Sequence, residues 1–369
     1  MIVCSSFPVY GYEVEPLSGI VDLRIMETTD LHGNIVDYDY IKHKKTVEYG
    51  LARTATLIKQ ARKEVSNSLL FDDGDLLQGN LLADYIAYID RFETEPIHPM
   101  IKVMNYLNYD AAALGNHDFH YGLDFLHRTI KDAKFPFINA NMYVNDHKPF
   151  NFNEINMFKP YTIINKKVKD RNGKMHTIKV GVIGFVTPCV MKWEKKSIAG
   201  RAKVMDIVKS AEAFVSRMKN EGADIVVALV HSGFDETAKA YEKSENAVSP
   251  LSLVPGIDVI LFGHQHKVFP DKSKLKGISG VDSSMGTING VPAVEAGSWG
   301  NYLGIADLIL QRNNGKWVIL HSNSKAVPIF KVEKKKAKPL VKADPIILQM
   351  VKEIHEKTIQ YSRRISNQK

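Results

Sequence analysis

Residues Ala111–Asp118 read A-A-A-L-G-N-H-D. A short apolar run ends abruptly in Gly115, Asn116, His117 and Asp118. A buried strand gains nothing from three consecutive polar side chains at its end, whereas a site for metal and phosphate does. Asn116 can offer a carbonyl oxygen to a hard cation. His117 can face a substrate, and Asp118 is placed to hold that imidazole in one tautomer. Four other apolar runs end in the same way. Val21–Thr29 stops at Asp30 and His32, and Ser68–Phe71 breaks into D-D-G-D with Asp75. Asp224–Val230 leads into His231, and Ile257–Phe262 into Gly263-His264-Gln265-His266.

Between these runs the apolar residues recur at helical spacing. Gly50–Val65, Leu81–Ile89, Ile97–Leu107, Gly122–Asp132 and Asp206–Gly222 read as amphipathic helices, and Asp235–Ser244 as a polar one. Phe135–Asn139 reads as a further strand. Asn172-Gly173, Asn289-Gly290 and Asn314-Gly315, each between strand-like runs, are hairpin turns. Fully apolar strands alternating with helices require a sheet covered on both faces, and the hairpins make it mixed. The expected fold class is therefore α/β: two packed mixed β-sheets flanked by helices. In open α/β sheets ligands bind beyond the carboxyl ends of the strands, and all five polar clusters follow such an end.

Composition sets the outer limits. The chain has 369 residues, is 44% hydrophobic and 24% charged, and carries a formal charge of +8. That is ordinary globular composition, and so diffuse an excess only mildly favours anionic partners. Cys4 and Cys189 match no zinc spacing. No apolar run approaches the ~20 residues of a membrane span. Residues 1–19 lack the basic-then-apolar pattern of a signal peptide and read as a flexible leader. Residues 20–330 read as one catalytic domain and 331–343 as a basic linker. Residues 344–369 read as an amphipathic helix with Ile347, Val351, Ile354 and Ile359 near one face.

The strand ends together supply Asp30, His32, Asp75, Asn116, His231, His264 and His266. Carboxylate, amide oxygen and imidazole in one set suit two borderline divalent cations such as Mn, Zn, Fe or Co, whereas calcium and magnesium favour all-oxygen sites. Residues one apart, as in Asp30-x-His32 and His264-x-His266, project to one side of an extended segment. Asp75, with Gly74 before it and Gly79 after, has two oxygens and can bridge two ions; Asp73 is the less favoured neighbour. Two cations roughly 3.5–4 Å apart polarise a phosphate and activate a water for in-line attack. His117, oriented by Asp118, is the candidate partner of the leaving oxygen. No G-x-S-x-G suggests a protein nucleophile. His98, His120 and His127 read as structural or surface residues. Trp299 either walls the site or sits in the core.

These motifs resemble the calcineurin-like metallophosphoesterases. T-D-L-H-G-N at 29–34 is similar to their 5′-nucleotidase branch. V-D-L-R-I-M-E-T-T-D-L-H, G-L-A-R-T-A, L-G-N-H-D-F-x-Y-G-L-D, N-A-N and G-S-W-G-N-Y-L-G resemble the bacterial 2′,3′-cyclic-nucleotide 2′-phosphodiesterase/3′-nucleotidases. The resemblance implies a metallophosphoesterase sandwich with one ion on Asp30, His32, Asp75 and His266. It implies a second ion on Asp75, Asn116, His231 and His264, and a His117–Asp118 catalytic pair, where many relatives have Glu after the His. The implied substrate is a small nucleotide, cleaved from the 2′,3′-cyclic form to the 3′-nucleotide and then to the nucleoside. The implied setting is secreted, periplasmic or wall-attached. The family continues past the last helix into a nucleotide-binding domain, so this chain looks like an isolated catalytic domain. A 5′-nucleotidase or UDP-sugar hydrolase shares the metal set and is the enzymatic alternative. A DNA nuclease would need a basic groove with interleaved aromatics, which is not seen, so no nucleic-acid partner is expected. A metal-retaining surface binding protein is the non-enzymatic alternative.

Overall fold

The computed structural model describes residues 19–147, 155–198, 200–235, 245–275 and 277–367. The first sheet is built on strand β1 (Ile20–Thr28), followed by helix α1 (Leu51–Glu64), β2 (Ser68–Asp72), α2 (Pro99–Leu107) and β3 (Ala111–Ala112). β1, β2 and β3 pair in parallel. The second sheet is built on β4 (Tyr161–Lys169), β5 (Met175–Val186), α3 (Ile207–Asn220), β6 (Ile225–His231), β7 (Val259–Phe262) and β8 (Val291–Ala296). Here β5, β6, β7 and β8 are parallel, and β4 closes one edge as an antiparallel hairpin with β5. The chain then returns to the first sheet with β9 (Tyr302–Asn313) and β10 (Lys316–Pro328), giving it the order β10-β9-β1-β2-β3. All three expected hairpin turns are present, and the fold class is the expected one.

The period of two in each strand decides which sheet face a side chain lines. Val21, Leu23 and Ile25 of β1, Leu69 and Phe71 of β2, and Ile225, Val227 and Leu229 of β6 all meet between the sheets. The intervening Met26 and Leu70 face α1 and α2, and Val226, Ala228 and Val230 face α3. Each sheet is thus apolar on both faces, which is why the parallel strands read as unbroken apolar runs.

Several expectations need correction. Residues 81–90 are not one regular helix: Leu81–Asp84 is α-helical and Tyr85–Asp90 continues as a π-helix. Phe135–Asn139 forms only isolated bridges, from Phe137 to Ala112 and from Ile138 to Lys159. The expected basic linker contains a hairpin, Phe330–Glu333 with Lys336–Pro339. Lys334 and Lys335 both adopt the left-handed backbone its two-residue turn needs, and Glu333 pairs with Lys331 and Lys338. The last helix is broken at Val351 into α4 (Pro345–Met350) and α5 (Lys352–Ser366). Ile347, Val351 and Ile354 are buried in the same core as α1 and α2, and the Tyr40 hydroxyl meets His355 Nδ1 at 2.7 Å. The expected leader and most of the Asp235–Ser244 helix lie outside the described residues. No helix among the described residues is long and apolar enough to cross a membrane.

Leu23 lies 1% exposed between the sheets, at the end of β1 away from Asp30. Leu23→Ala is expected to lower unfolding free energy by about 2–5 kcal/mol through lost burial and the cavity left behind. Urea unfolding measures this, and metal content per folded chain should not change.

Candidate metal centre

The carboxyl ends of β1, β2, β3, β6 and β7 converge at one end of the sandwich. His231 is the last residue of β6 and shares the inward parity of Val227 and Leu229, so its ring is fully buried. The other ligand-type residues sit on the turns that follow each strand. Asp30, His32, Asp75, His264 and His266 all have positive φ, between 47° and 78°. Such backbone is uncommon for any residue but glycine, and clusters of it occur where function holds it in place. Gly74 (φ 96°) makes the approach possible, since a Cβ there would lie 2.2 Å from the backbone nitrogen of Gly115.

The side chains meet closely. His231 Nε2 lies 3.1 Å from Asp75 Oδ2, and His266 Nε2 lies 3.2 Å from Asp30 Oδ1. His32 Nε2 is 3.8 Å from both Asp30 Oδ1 and Asp75 Oδ2. Donor atoms of Asp30, His32 and His266 form one group within 4.8 Å, and those of Asp75, His231 and His264 form another. Two rings are turned by backbone carbonyls: His32 Nδ1 donates to Gln78 O at 2.6 Å and His231 Nδ1 to Asp73 O at 2.9 Å. Each Nε2 is therefore the nitrogen turned toward the cluster, the usual outer arrangement of metal-binding histidines. His264 Nε2 lies 3.3 Å from Glu245, leaving Nδ1 for the same purpose.

The residues fit a pair of cations. Asn116 Oδ1 is buried with no hydrogen-bond partner, and Asp30 Oδ1 and His231 Nε2 are buried with only the close approaches of His266 and Asp75, which lack hydrogen-bond geometry. Orphaned buried acceptors are costly, and here they are the atoms a cation would satisfy. His32 Nε2 also faces His266 Nε2 at 2.9 Å, two nitrogens sharing one position. The local field has the same sense. Burial disfavours charge on His231, yet Asp75, Asp30 and Asp118 outweigh it and raise its pKa to about 10. Burial likewise opposes ionisation of Asp75, but His231, His32 and His117 hold its pKa well below the usual carboxylate range. A field that retains a proton on a buried imidazole attracts a cation too.

The calcineurin-like phosphoesterase pattern matches residues 23–268. The chain belongs to the calcineurin-like phosphoesterase family. It is 45% identical over 343 residues to the 2′,3′-cyclic-nucleotide 2′-phosphodiesterase/3′-nucleotidase of Salmonella typhimurium, covering 92% of this chain and 51% of that protein. It is 31% identical over 332 residues to the snake venom 5′-nucleotidase of Naja atra, covering 85% of this chain and 56% of that one. The crystal structure of the calcineurin-like phosphoesterase YfkN from Bacillus subtilis superposes with a TM-score of 0.85 at 42% identity. That match covers 93% of this chain and 99% of the solved chain. The chain spans about half the length of the curated relatives it matches.

Six of the seven expected ligands fall into the two groups, and Asn116, whose chain neighbours Gly115 and His117 both pack on Asp75, has a buried unpartnered oxygen. Asp73 stays outside both groups; its carboxylate is buried without partners, and its contribution is the carbonyl that turns His231. Asp118 departs from expectation. Its carboxylate does not hold the His117 ring, whose Nδ1 has no partner. Instead it accepts from the backbone nitrogens of Gly115, Asp75, Leu76 and Leu77 at 2.8–3.0 Å. Asn116–Phe119 is a single 3₁₀ turn, and Asp118 reaches back to cap it, away from the ring one residue earlier. His117 is fixed through its backbone, whose N–H donates to Asp75 Oδ1 at 2.7 Å. Its ring stands 5.1 Å from that of His32.

His98 is buried at the start of α2, where it accepts from Met100 N; His120 and His127 are on the surface. Trp299 is 42% exposed beside His266, so it belongs to the wall and not to the core. Trp193 stacks on His264 at 27° and 5.3 Å. No motif in the sequence marks it. A cavity of about 740 Å³ lies at the opposite end of the sheets, where Arg24 pairs with Asp307 and Glu64.

Asp118→Asn places an amide group against N–H donors and leaves buried donors unpaired, at a cost of about 1–3 kcal/mol each. The variant is expected to melt earlier and to bind less metal per chain than the parent, by calorimetry and elemental analysis. A residue acting only on His117 would change neither. Asp75→Asn is expected to lower bound metal further, because it weakens a donor that lies 3.1 Å from His231 Nε2 and 3.8 Å from His32 Nε2.

Proposed function

We propose that this chain is the catalytic part of a two-metal phosphoesterase that hydrolyses 2′,3′-cyclic nucleotides to 3′-nucleotides and then to nucleosides and phosphate. The observation that carries the reading is the convergence of Asp30, His32, Asp75, Asn116, His231, His264 and His266, with buried acceptors left without hydrogen bonds. One ion is assigned to Asp30, His32, Asp75 and His266, and the other to Asp75, Asn116, His231 and His264. The mixed nitrogen and oxygen donors favour Mn, Zn, Fe or Co. Bound there, two such ions supply charge for the phosphate oxygens and a nucleophilic water at neutral pH.

The chain's own residues complete the chemistry. The His117 ring is half-buried beside His32, at the edge of the candidate ligands. It is assigned to hydrogen-bond the ribose oxygen as the phosphorus–oxygen bond breaks. In the first step water adds to phosphorus and the 2′ oxygen leaves; in the second, water adds again and the 3′ oxygen leaves. Both steps are the same displacement with different leaving oxygens, so one site serves both. The name carried by the Salmonella relative at 45% identity supports this pair of reactions. The more distant Naja atra enzyme makes 5′-nucleotide hydrolysis the second reading. The reading brings with it an exported protein and, as partner, a nucleotide-binding domain in the remaining length typical of its relatives.

Mn-reconstituted protein offered 2′,3′-cyclic AMP, 3′-AMP and 5′-AMP in parallel is expected to convert the first through 3′-AMP to adenosine. Turnover of 5′-AMP alone would transfer the assignment to the second reading. His117→Ala is expected to lower kcat by about 10²–10⁴-fold while metal content stays at the parental level.

A further inference from the structure

The strand end beside that of His231 supplies no candidate ligand. β5 runs parallel to β6 with Val186 opposite His231, so its following turn reaches the same end of the sandwich. That turn, Thr187-Pro188-Cys189, holds no Asp or His and leads into a short helix, Val190–Trp193. The segment is nevertheless fastened to the centre. Thr187 N donates to His231 O at 3.0 Å, and Val186 exchanges two hydrogen bonds with the Asn141 side chain, at 2.8 and 3.0 Å. Val190 and Ile198 are buried in the same core as α1 and α2, and Glu194 between them meets His120 Nδ1 at 3.4 Å. With those anchors on either side, the Trp193 indole lies against the His264 imidazole, stacked at 5.3 Å and 27°. The indole is 40% exposed, so the stack forms at the rim of the centre and not in the core.

His264 needs such a support more than the other candidate rings. His32 and His231 are each turned by a backbone carbonyl, and His266 lies against Asp30. The outer nitrogen of His264 has Glu245 at 3.3 Å, and the Glu245 side chain is 53% exposed. An exposed pair of that kind holds a ring weakly. The χ2 torsion of a histidine is broad, so a ring without rigid neighbours swings its donor atom. Two rings restrict His264: His231 edge-on, at 5.3 Å and 67°, and Trp193 face-on. Rotation about χ2 would drive the edge of the imidazole into the indole face.

We propose that Trp193 is a positioning residue for the ion assigned to Asp75, Asn116, His231 and His264, acting through the plane of the His264 ring. The proposal rests on the two-ion reading above. It gives the β5 turn, which offers no ligand, a share in holding the metal.

The test is stepwise removal of Co from the loaded protein by a chelator, read by visible absorption and elemental analysis. Trp193→Ala is expected to weaken one of the two ions about tenfold, as loss of an outer partner does, and to leave the other at parental affinity. Trp193→Phe, which keeps a flat ring, is expected to recover most of the loss. Glu245→Ala, which removes only the exposed carboxylate, is expected to change either ion by less than about twofold. Melting temperature in excess metal verifies that each variant is folded. Parental affinity for both ions in Trp193→Ala overturns the role, and so does an equal loss at both, which marks general loosening of that end. A raised KM with unchanged metal affinity would make Trp193 a substrate contact and overturn it too. Trp193-dependent binding of one ion in a chain that hydrolyses no nucleotide would sustain the positioning role and overturn the phosphoesterase reading instead.

Discussion

The Asp118 carboxylate takes four backbone amides from two different loops, and the geometry of the metal centre depends on that clamp. Gly115 comes from the turn after β3; Asp75, Leu76 and Leu77 come from the turn after β2. Burial and the nearby Asp75 carboxylate push the Asp118 pKa up to about 7, while the surrounding N–H donors favour its ionised form. A carboxylate with all its acceptor positions filled by main chain has no capacity left for a catalytic ring. Asp75, the candidate bridge, is fixed at its backbone by Asp118 and at its side chain by the His117 amide. The turns that follow two neighbouring, paired strands are thereby held in one register beyond the strand ends.

The sandwich makes such a clamp possible. Two parallel cores lie face to face, and every parallel strand delivers its following turn to the same end. The sheets supply rigidity, and the turns supply donors. Carbonyls of Gln78 and Asp73, on the same turn as Asp75, then choose which nitrogen of His32 and His231 faces inward. One turn thus contributes a ligand and orients two others.

Much of this was legible in the sequence because each signal was local. Apolar runs ending in Asp, Asn or His marked the strand ends, and Asn-Gly marked the hairpins. What was missed depends on three-dimensional placement. Asp118 follows His117 in sequence, yet a 3₁₀ turn sends the two side chains apart. The Lys-rich stretch around 334 read as a linker because composition hides a turn made by lysines in left-handed backbone. Trp193 reaches His264 only through the fold, and no spacing between residues 193 and 264 announces it. The break at Val351 arises where two helices settle onto one core, a tertiary choice that an amphipathic pattern cannot reveal.

The left-handed backbone at Asp30, His32, Asp75, His264 and His266 has an evolutionary consequence. Asp, Asn and His are several-fold enriched in that conformation, whereas bulky and β-branched residues are penalised there. Donor chemistry and chain conformation are therefore coupled. Replacing one ligand type by another asks the backbone to accept the newcomer as well as the ion. Drift in metal preference should run through neighbours that orient the donors, since the donors themselves have few permissible substitutes.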